Sequence, residues 1–219
     1  MTENLTDSEF MNEQPADGIE IVSLNGDLIQ KLVPIHIEAF YDRMSGKLGP
    51  GYARAFLTWF SRRKDGIALA AIIEGKPVGY TCGAIMGYQR EINRDLLWTV
   101  FLAALIRPWI WFRLSFLQIV KNRFQVLIGR KKQATLDFLP APTICQVGTG
   151  VARSARNKGV GIALRSGLEA EARRRGIKSI LGSVYRDNIP ARGLDEKCGW
   201  RAFDSDKKKA TVYYYKIFD

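Results

Sequence analysis

The stretch that decides the fold is Val151-Ala-Arg-Ser-Ala-Arg-Asn-Lys-Gly-Val-Gly161, a basic turn with two closely spaced glycines. It follows residues 143–150, a run rich in β-branched and small residues that is typical of a strand. It precedes residues 162–175, where apolar side chains recur near helical spacing. The order strand, glycine turn, helix brings unpaired backbone N–H groups and the positive end of a helix dipole to one point, which suits a phosphate or pyrophosphate.

The residues of the turn strengthen this interpretation. Gly159 and Gly161 let the backbone approach an anion without a Cβ in the way. Arg156 and Lys158 add positive charge beside it. A short Gly-x-Gly pattern also occurs in ordinary strand-to-helix turns, so the turn alone does not decide the function.

Two further matches lie downstream. A strand-like run, 178–184, is followed by Asn188-Ile-Pro-Ala-Arg-Gly-Leu-Asp-Glu-Lys-Cys-Gly-Trp200. The segment Arg156-x-x-Gly-x-Gly161 resembles the acyl-CoA-binding loop of the GNAT acetyltransferases, and the downstream segment is similar to that family's Asn-x-x-Ala-x-x-x-Tyr-x-x-x-Gly-Phe. The resemblance covers roughly residues 143–218 and implies an α/β fold with a mixed, mostly antiparallel central sheet flanked by helices.

The N-terminal half fits the same plan of a strand, two helices and a hairpin. We expect a strand at 18–23 and a helix at 28–39 that is capped by Asp27, with Pro34 implying a kink or a late start. A loop at 41–51, a helix at 52–63, and strands at 66–73 and 76–86 joined at Glu74-Gly75 follow.

Residues 91–138 do not fit this plan, and we expect them to form a helical insertion between strands 3 and 4. Aromatic and aliphatic residues recur at helical spacing, while 94–132 carries eight Lys or Arg and one Asp. Such an amphipathic segment suits peripheral contact with an anionic membrane, packing on the domain itself, or a homodimer interface. Its longest uncharged run, 96–106, is too short to span a bilayer. An insertion here is loosely similar to GNAT proteins associated with surface-polysaccharide synthesis.

Composition sets the remaining limits. A length of 219 residues with 47% hydrophobic content fits one sizeable domain, 18–219, preceded by an acidic tail, 1–17, that we expect to be disordered. The net charge of +11 suits an anionic cofactor, substrate or membrane surface, and no motif accompanies it that would favour nucleic acid. Three scattered cysteines and a single histidine predict a cytoplasmic protein with reduced thiols and no metal site.

The resemblance implies transfer of an acetyl group from acetyl-CoA, the co-substrate, to an amine by direct attack. It places Gly150, Val151 and Ala152 at the splayed end of the fourth strand, where the backbone of Val151 would pair with the pantetheine arm. The rest of the implied cofactor-binding set comprises Arg156, Asn157, Lys158, Gly159, Val160, Gly161 and Asn188. Asn188 would also serve as a helix N-cap.

The candidate acid departs from the family pattern. Asp195 stands where many members have a tyrosine that protonates the leaving thiolate, and an Asp is ionised at pH 7 unless burial raises its pKa. Three options follow: Asp195 is a surface residue and water reprotonates the thiolate; another group, such as Tyr80, Tyr88 or Tyr185, serves; or catalysis rests mainly on positioning.

The candidate base is equally open. His36 has a suitable intrinsic pKa and lies on the first helix, which often borders the acceptor site in this fold, but it also fits a partly buried helix position. Glu38 and Tyr41 have the same ambiguity. Gln146 and Thr149 on the fourth strand would at most position a water.

The resemblance implies a cytoplasmic N-acetyltransferase that acts on the primary amine of a small molecule, such as an amino sugar or nucleotide-linked amino sugar, with a peripheral position at the inner face of the membrane as one option. The alternatives are a protein or peptide N-acetyltransferase and a non-catalytic module that binds CoA or a membrane surface.

Overall fold

The computed structural model describes residues 18–106, 136, 138–203 and 210–218. The expected acidic tail and most of the insertion's basic part lie outside these residues. The strands of the described part are β1 (Ile19–Ser23), β2 (Gly66–Ile73), β3 (Lys76–Ile85), β4 (Thr143–Val151), β5 (Ser179–Tyr185), β6 (Arg201–Phe203) and β7 (Thr211–Ile217). The helices are α1 (Gly26–Ala39), α2 (Met44–Lys47), α3 (Pro50–Arg62), α4 (Gln89–Asp95), α5 (Leu97–Ile106), α6 (Val160–Arg174) and α7 (Ile189–Lys197).

All the strands form one sheet with the order β1-β2-β3-β4-β5-β7-β6. Its pairs are antiparallel except β4 and β5, which run parallel. The predicted mixed, mostly antiparallel sheet is therefore confirmed. The hairpin between β2 and β3 turns at Glu74 and Gly75 with φ of 50° and 70°, which matches the positive φ at both central residues of a type I′ turn.

Two local expectations need correction. The N-cap of α1 is Asn25, whose side chain accepts a hydrogen bond from the Leu28 N–H at 3.0 Å, while Asp27 lies in the first turn. The expected loop at 41–51 contains the short helix α2, and α3 begins at Pro50, whose missing N–H costs nothing at a first helical position.

Helices cover both faces of the sheet. On one face, α1 and α3 bury Leu32, Leu57 and Phe60 completely, together with side chains of β3. On the other face, α6 buries Leu168 against Ile180. Each such side chain contributes about 1.5–3 kcal/mol on burial. The two layers fix α6 and its N-terminus relative to β4.

The insertion between β3 and β4 is helical where the structure describes it. Its helices α4 and α5 bury Ile92, Leu96 and Val100 in the same core as α1 and α3. The opposite side of α5 exposes apolar residues, including Trp98 and Ile106, which are 72% and 74% exposed. None of the described helices is long and apolar enough to cross a membrane.

Candidate active site

The sheet opens between its only described parallel pair of strands. The ladder between β4 and β5 ends where Gln146 faces Gly182. A bulge follows at once, because Gly83 faces Gln146 and Cys82 faces Gly148, so that Val147 has no partner on β3. Beyond this point β4 stays paired with β3 through Val151, and no described strand pairs with its other edge. That edge can accept an extended, amide-bearing ligand as an added strand.

The turn that begins with Val151 leads to the N-terminus of α6. Asn157 and Gly159 adopt positive φ of 60° and 78°, and Gly159 is the N-cap residue. No side chain caps the helix and its first turn carries no acidic residue, so within the described structure the first N–H groups face outward without an anionic partner. Arg156 and Lys158 are exposed beside them. The turn therefore has the geometry of an anion site.

Three positions in this region, Gly150, Gly159 and Gly161, require glycine for different reasons. Gly159 needs its left-handed conformation. A Cβ at Gly150 would lie 2.6 Å from the Tyr80 ring, and a Cβ at Gly161 would lie 3.0 Å from Leu194 on α7. Gly150 therefore makes room for a core tyrosine, and Gly161 lets α6 and α7 approach each other.

A cavity of about 410 Å³ lies at the opening of the sheet. Its walls come from the segment between α1 and α3, from β4 and β5, and from α6 and α7. The lining residues are Phe40, Arg43, Met44, Ser45, Leu48, Tyr52, Gln146, Val147, Gly148, Thr149, Arg165, Ser183, Val184, Tyr185, Asn188, Ala191 and Thr211. None of these residues carries a carboxylate, so the described walls offer no acidic side chain as a general base.

Asn188 is the N-cap residue of α7, as expected, and it lies at the cavity wall. Its side chain accepts a hydrogen bond from the Ala191 N–H at 3.2 Å and so caps α7. It also lines the cavity. The cap fixes the side chain at the cavity wall.

A neutral polar cluster lies on the β4 wall. The Gln146 side-chain amide donates to the hydroxyls of Thr149 at 2.7 Å and Thr81 at 3.0 Å, and the two hydroxyls are 2.9 Å apart. Gln146 and Thr149 line the cavity, whereas Thr81 is buried. The cluster presents an oriented amide and hydroxyl to a ligand, which agrees with a positioning role better than with that of a base.

His36 and Tyr80 form a buried pair beneath the sheet opening. The His36 Nδ1 and the Tyr80 hydroxyl oxygen are 2.6 Å apart, and both residues are at most 1% exposed. Burial lowers the pKa of His36 to about 4, with a backbone group of Ser45 partly offsetting the effect. Burial raises the pKa of Tyr80 well above its usual value. Neither residue lines the cavity, so this geometry favours a structural role for the pair.

Asp195 is a buried residue, which corrects the option that placed it on the surface. Its side chain is fully buried in an ion pair with Arg165, whose side chain is 5% exposed. Burial raises the pKa of Asp195 to about 6, although Arg165 opposes the shift. The carboxyl group is therefore mostly ionised near pH 7 and would be a poor proton donor to a thiolate.

The other candidates lie in different surroundings. Tyr185 lines the cavity with the Arg43 guanidinium 3.8 Å from its ring centre, and Arg43 donates to Asp187 at 3.1 Å. Tyr88 is partly buried against the core and does not line the cavity, and burial raises its pKa.

Glu38 forms an ion pair with Arg153 at 3.2 Å, and Tyr41 is 65% exposed. Arg43 and Arg165 are not singled out by the sequence analysis, although both line the cavity. The one sequence feature that could have indicated Arg165 is its place in the predicted helix, next to the apolar Leu164, which is buried.

A model of a known protein family matches part of the chain. The family model described as the acetyltransferase (GNAT) family matches residues 125–200. No curated protein matches the chain.

Solved structures with a similar fold have low sequence identity. Ribosomal-protein-alanine N-acetyltransferase from Brucella melitensis is 15% identical, with a TM-score of 0.57 over 91% of this chain and 99% of that one. The paia N-acetyltransferase from Thermoplasma acidophilum, in complex with coenzyme A, is 13% identical, with a TM-score of 0.53 over 91% and 99%. The yncA protein from Salmonella typhimurium, with its cofactor acetyl-CoA, is 12% identical, with a TM-score of 0.56 over 93% and 95%.

The split between β4 and β5, the uncapped α6 turn and the matching family model agree with one another. Residues 125–200 match the model of the GNAT family of acetyltransferases, and the fold is similar to that of solved structures that include an N-acetyltransferase in complex with coenzyme A.

Proposed function

We propose that the enzyme transfers the acetyl group of acetyl-CoA to the primary amine of a small molecule, such as an amino sugar or a nucleotide-linked amino sugar. The observation that carries this proposal is the cavity of about 410 Å³ at the sheet opening. Its volume lies toward the lower end of the range for small-molecule sites, about 300–1,000 Å³.

Apart from Arg43 and Arg165, the cavity lining is uncharged and partly polar, which suits a polar acceptor. Gln146, Thr149, Ser45 and Ser183 supply amide and hydroxyl groups among apolar neighbours such as Met44. Such groups exchange hydrogen bonds with a polyhydroxylated ring. A nucleotide-linked acceptor would bring negative charge, which the basic body of the chain favours.

The same residues suggest how the two substrates would meet. The N–H groups at the start of α6, with Arg156 and Lys158, would hold the pyrophosphate, and the free edge of β4 from Val147 to Val151 would hold the pantetheine amides. This arrangement directs the thioester toward Thr149 and the cavity. Holding amine and thioester in line can supply on the order of 7 kcal/mol or more of the barrier reduction.

The reaction would then need no covalent enzyme intermediate. The amine nitrogen attacks the thioester carbonyl carbon, the C–N bond forms, and the C–S bond breaks with its electron pair on sulfur. Because no described cavity residue is a carboxylate, the amine proton passes to water. Gln146 and Thr149 are suited to hold that water.

The acceptor is tested by the release of free CoA thiol in the presence of a panel of amines. We expect release with glucosamine or a nucleotide-linked amino sugar, and little with a peptide that begins with alanine. Release with the peptide alone would replace this proposal by the protein N-acetyltransferase alternative. Binding of acetyl-CoA without release for any amine would favour the non-catalytic module.

The cofactor site is tested separately by calorimetric titration with acetyl-CoA. Lys158→Glu reverses a charge in the exposed turn without disturbing a positive φ, and we expect about a tenfold or greater loss of affinity. Lys64→Glu is the matched control, because it makes the same charge change between α3 and β2, at the far end of the sheet. Equal affinity of both variants would contradict the placement of the pyrophosphate.

We propose peripheral membrane contact separately, and the exposed apolar side of α5 supports it, with Trp98 and Ile106 its most exposed residues. Cosedimentation with anionic vesicles, compared with neutral ones, tests it. A face that instead joins two copies of the chain would show as a dimer in sedimentation without lipid.

A further inference from the structure

The cavity contains a charged group that the proposed transfer has not yet used. Arg165 projects from α6 and lines the cavity, although its side chain is only 5% exposed. Its guanidinium carbon lies 4.1 Å from the centre of the Trp200 ring, which supports one face of the group. Asp195 on α7 pairs with its Nη2. The guanidinium is therefore fixed in place from two sides.

The hydrogen bonds of this pair are incomplete. Nε and Nη1 of Arg165 have no hydrogen-bond partner among the described residues, and neither has Oδ2 of Asp195. A guanidinium carries five N–H donors, and leaving them unpaired in a buried position is costly. A buried ion pair of this kind also costs more desolvation than its attraction returns unless further bonds complete it. Nε and Nη1 are themselves closed off from solvent, so a ligand in the cavity that Arg165 lines would supply the missing acceptor once the guanidinium turns toward it.

The cavity walls around Arg165 indicate which ligand atom that would be. Arg165 lies five residues beyond Val160, about 7.5 Å along α6 from the end that would hold the pyrophosphate. It lines the same cavity as Thr149 on the β4 edge and Asn188 on α7. A chain that starts at the helix N-terminus and follows β4 brings its thioester end past this guanidinium.

We propose that Arg165 is a catalytic residue that stabilises the leaving thiolate of CoA through its N–H donors and positive charge, and that Asp195 is the residue that positions it. This assignment rests on the proposed function. When the C–S bond breaks, its electron pair stays on sulfur as a thiolate paired with Arg165. The thiolate later takes its proton from water, so the enzyme needs no acidic side chain. Asp195, ionised near pH 7, keeps the guanidinium in position instead of donating a proton.

This role has a signature that does not depend on turnover. An arginine beside the sulfur stabilises the thiolate and so lowers the pKa of the bound CoA thiol, which is measured by titrating the ultraviolet absorbance of the thiolate in the complex with free CoA. Subtracting the protein without CoA removes the contribution of the cysteines, and burial raises the pKa of Cys82, Cys145 and Cys198. We expect the pKa of the bound thiol to be at least about one unit lower than that of free CoA, a tenfold change in ionisation.

Two variants of Arg165 distinguish the loss of this catalytic role from a loss of folding. Arg165→Met alone would leave Asp195 buried without its partner, so the main variant is the double change Arg165→Met with Asp195→Leu, which replaces the pair by apolar side chains and is often tolerated. Arg165→Lys keeps the charge and loses the fork of donors. Thermal unfolding of each variant checks that it folds.

We expect the double variant to bind CoA with the pKa of its thiol returned to that of free CoA, and to lose at least about tenfold in kcat with little change in the KM for the amine. For Arg165→Lys, the pKa of the bound thiol and kcat should both lie between those of the wild type and the double variant. Normal CoA binding with the same thiol pKa in wild type and double variant would overturn the assignment but leave the proposed function standing. A change confined to the KM of the amine would also overturn it and give Arg165 to the acceptor. A wild-type protein that does not bind CoA would overturn both.

Discussion

Acid should destabilise the protein through His36, and the size of the effect follows from the burial of its ring. The ring is 1% exposed, and its pKa is lowered from 6.5 to about 4. The unfolded chain therefore takes up a proton on His36 at a higher pH than the folded chain does. Stability from this group is fully present above about pH 6.5 and is lost as the pH falls toward 4.

The magnitude follows from the two pKa values. Between about pH 7 and pH 5, the preference of the unfolded state for the protonated ring grows by about 2 kcal/mol. His36→Asn removes the titrating group and keeps a polar atom near the place of Nδ1, which lies 2.6 Å from the Tyr80 hydroxyl. The variant loses some packing free energy at every pH. Between about pH 7 and pH 5, however, its free energy of unfolding should fall by about 2 kcal/mol less than that of the wild type.

The assay is urea unfolding of both proteins near pH 7 and near pH 5. The cost of His36→Asn should shrink by about 2 kcal/mol on acidification. A cost that stays constant within about 0.5 kcal/mol would mean that His36 titrates normally in contact with water, and would refute the reasoning from burial. Such a ring would again be a candidate base, so kcat/KM of the variant between about pH 5 and pH 8 is the companion measurement.

Four further substitutions test the local geometry by urea unfolding without cofactor. Gly150→Ala should cost about 1–3 kcal/mol, because the new Cβ would lie 2.6 Å from the Tyr80 ring in a filled core. Gly159→Ala should cost about 1 kcal/mol, because φ of 78° is unfavourable for any residue with a Cβ. Asn188→Ala should cost about 1 kcal/mol through loss of the α7 cap, whereas Gly193→Ala in the same helix, where a Cβ meets open space, should gain about 0.5–1 kcal/mol.

Features that depend on neighbouring residues could be predicted from the sequence. The glycine turn before α6 and the Glu74-Gly75 hairpin are set by backbone conformations that a few side chains permit, and the structure has both. The helix α1 was also expected, but its cap was placed on Asp27 instead of Asn25. Both residues are good caps, and they lie only two positions apart, so the sequence pattern alone could not choose between them.

Features that depend on which helix faces meet could not be predicted. Arg165 and Asp195 are 30 residues apart, and nothing in either segment shows that α6 and α7 bring them together. The same holds for His36, whose intrinsic pKa suggested a base until the packing of α1 on β3 removed it from water. A titratable residue acquires its chemistry from tertiary packing, which a single sequence does not record.

The charges around the cavity give a consistent account of how catalysis would be divided. The described cavity walls lack a carboxylate, so they do little to remove the amine proton, and a neutral amine must bind from solution. The positive groups next to the cavity on α6 are its uncapped N-terminus and Arg165, the latter paired with Asp195. Negative charge that develops during transfer on the carbonyl oxygen and then on sulfur would lie next to this helix. On this account most of the lowering of the barrier comes from fixed dipoles and charge on α6 and from alignment of the reactants, with little from proton transfer. The enzyme should therefore favour amines of low pKa, which are neutral at physiological pH, and a rate that rises with pH according to the pKa of the acceptor would identify this mechanism.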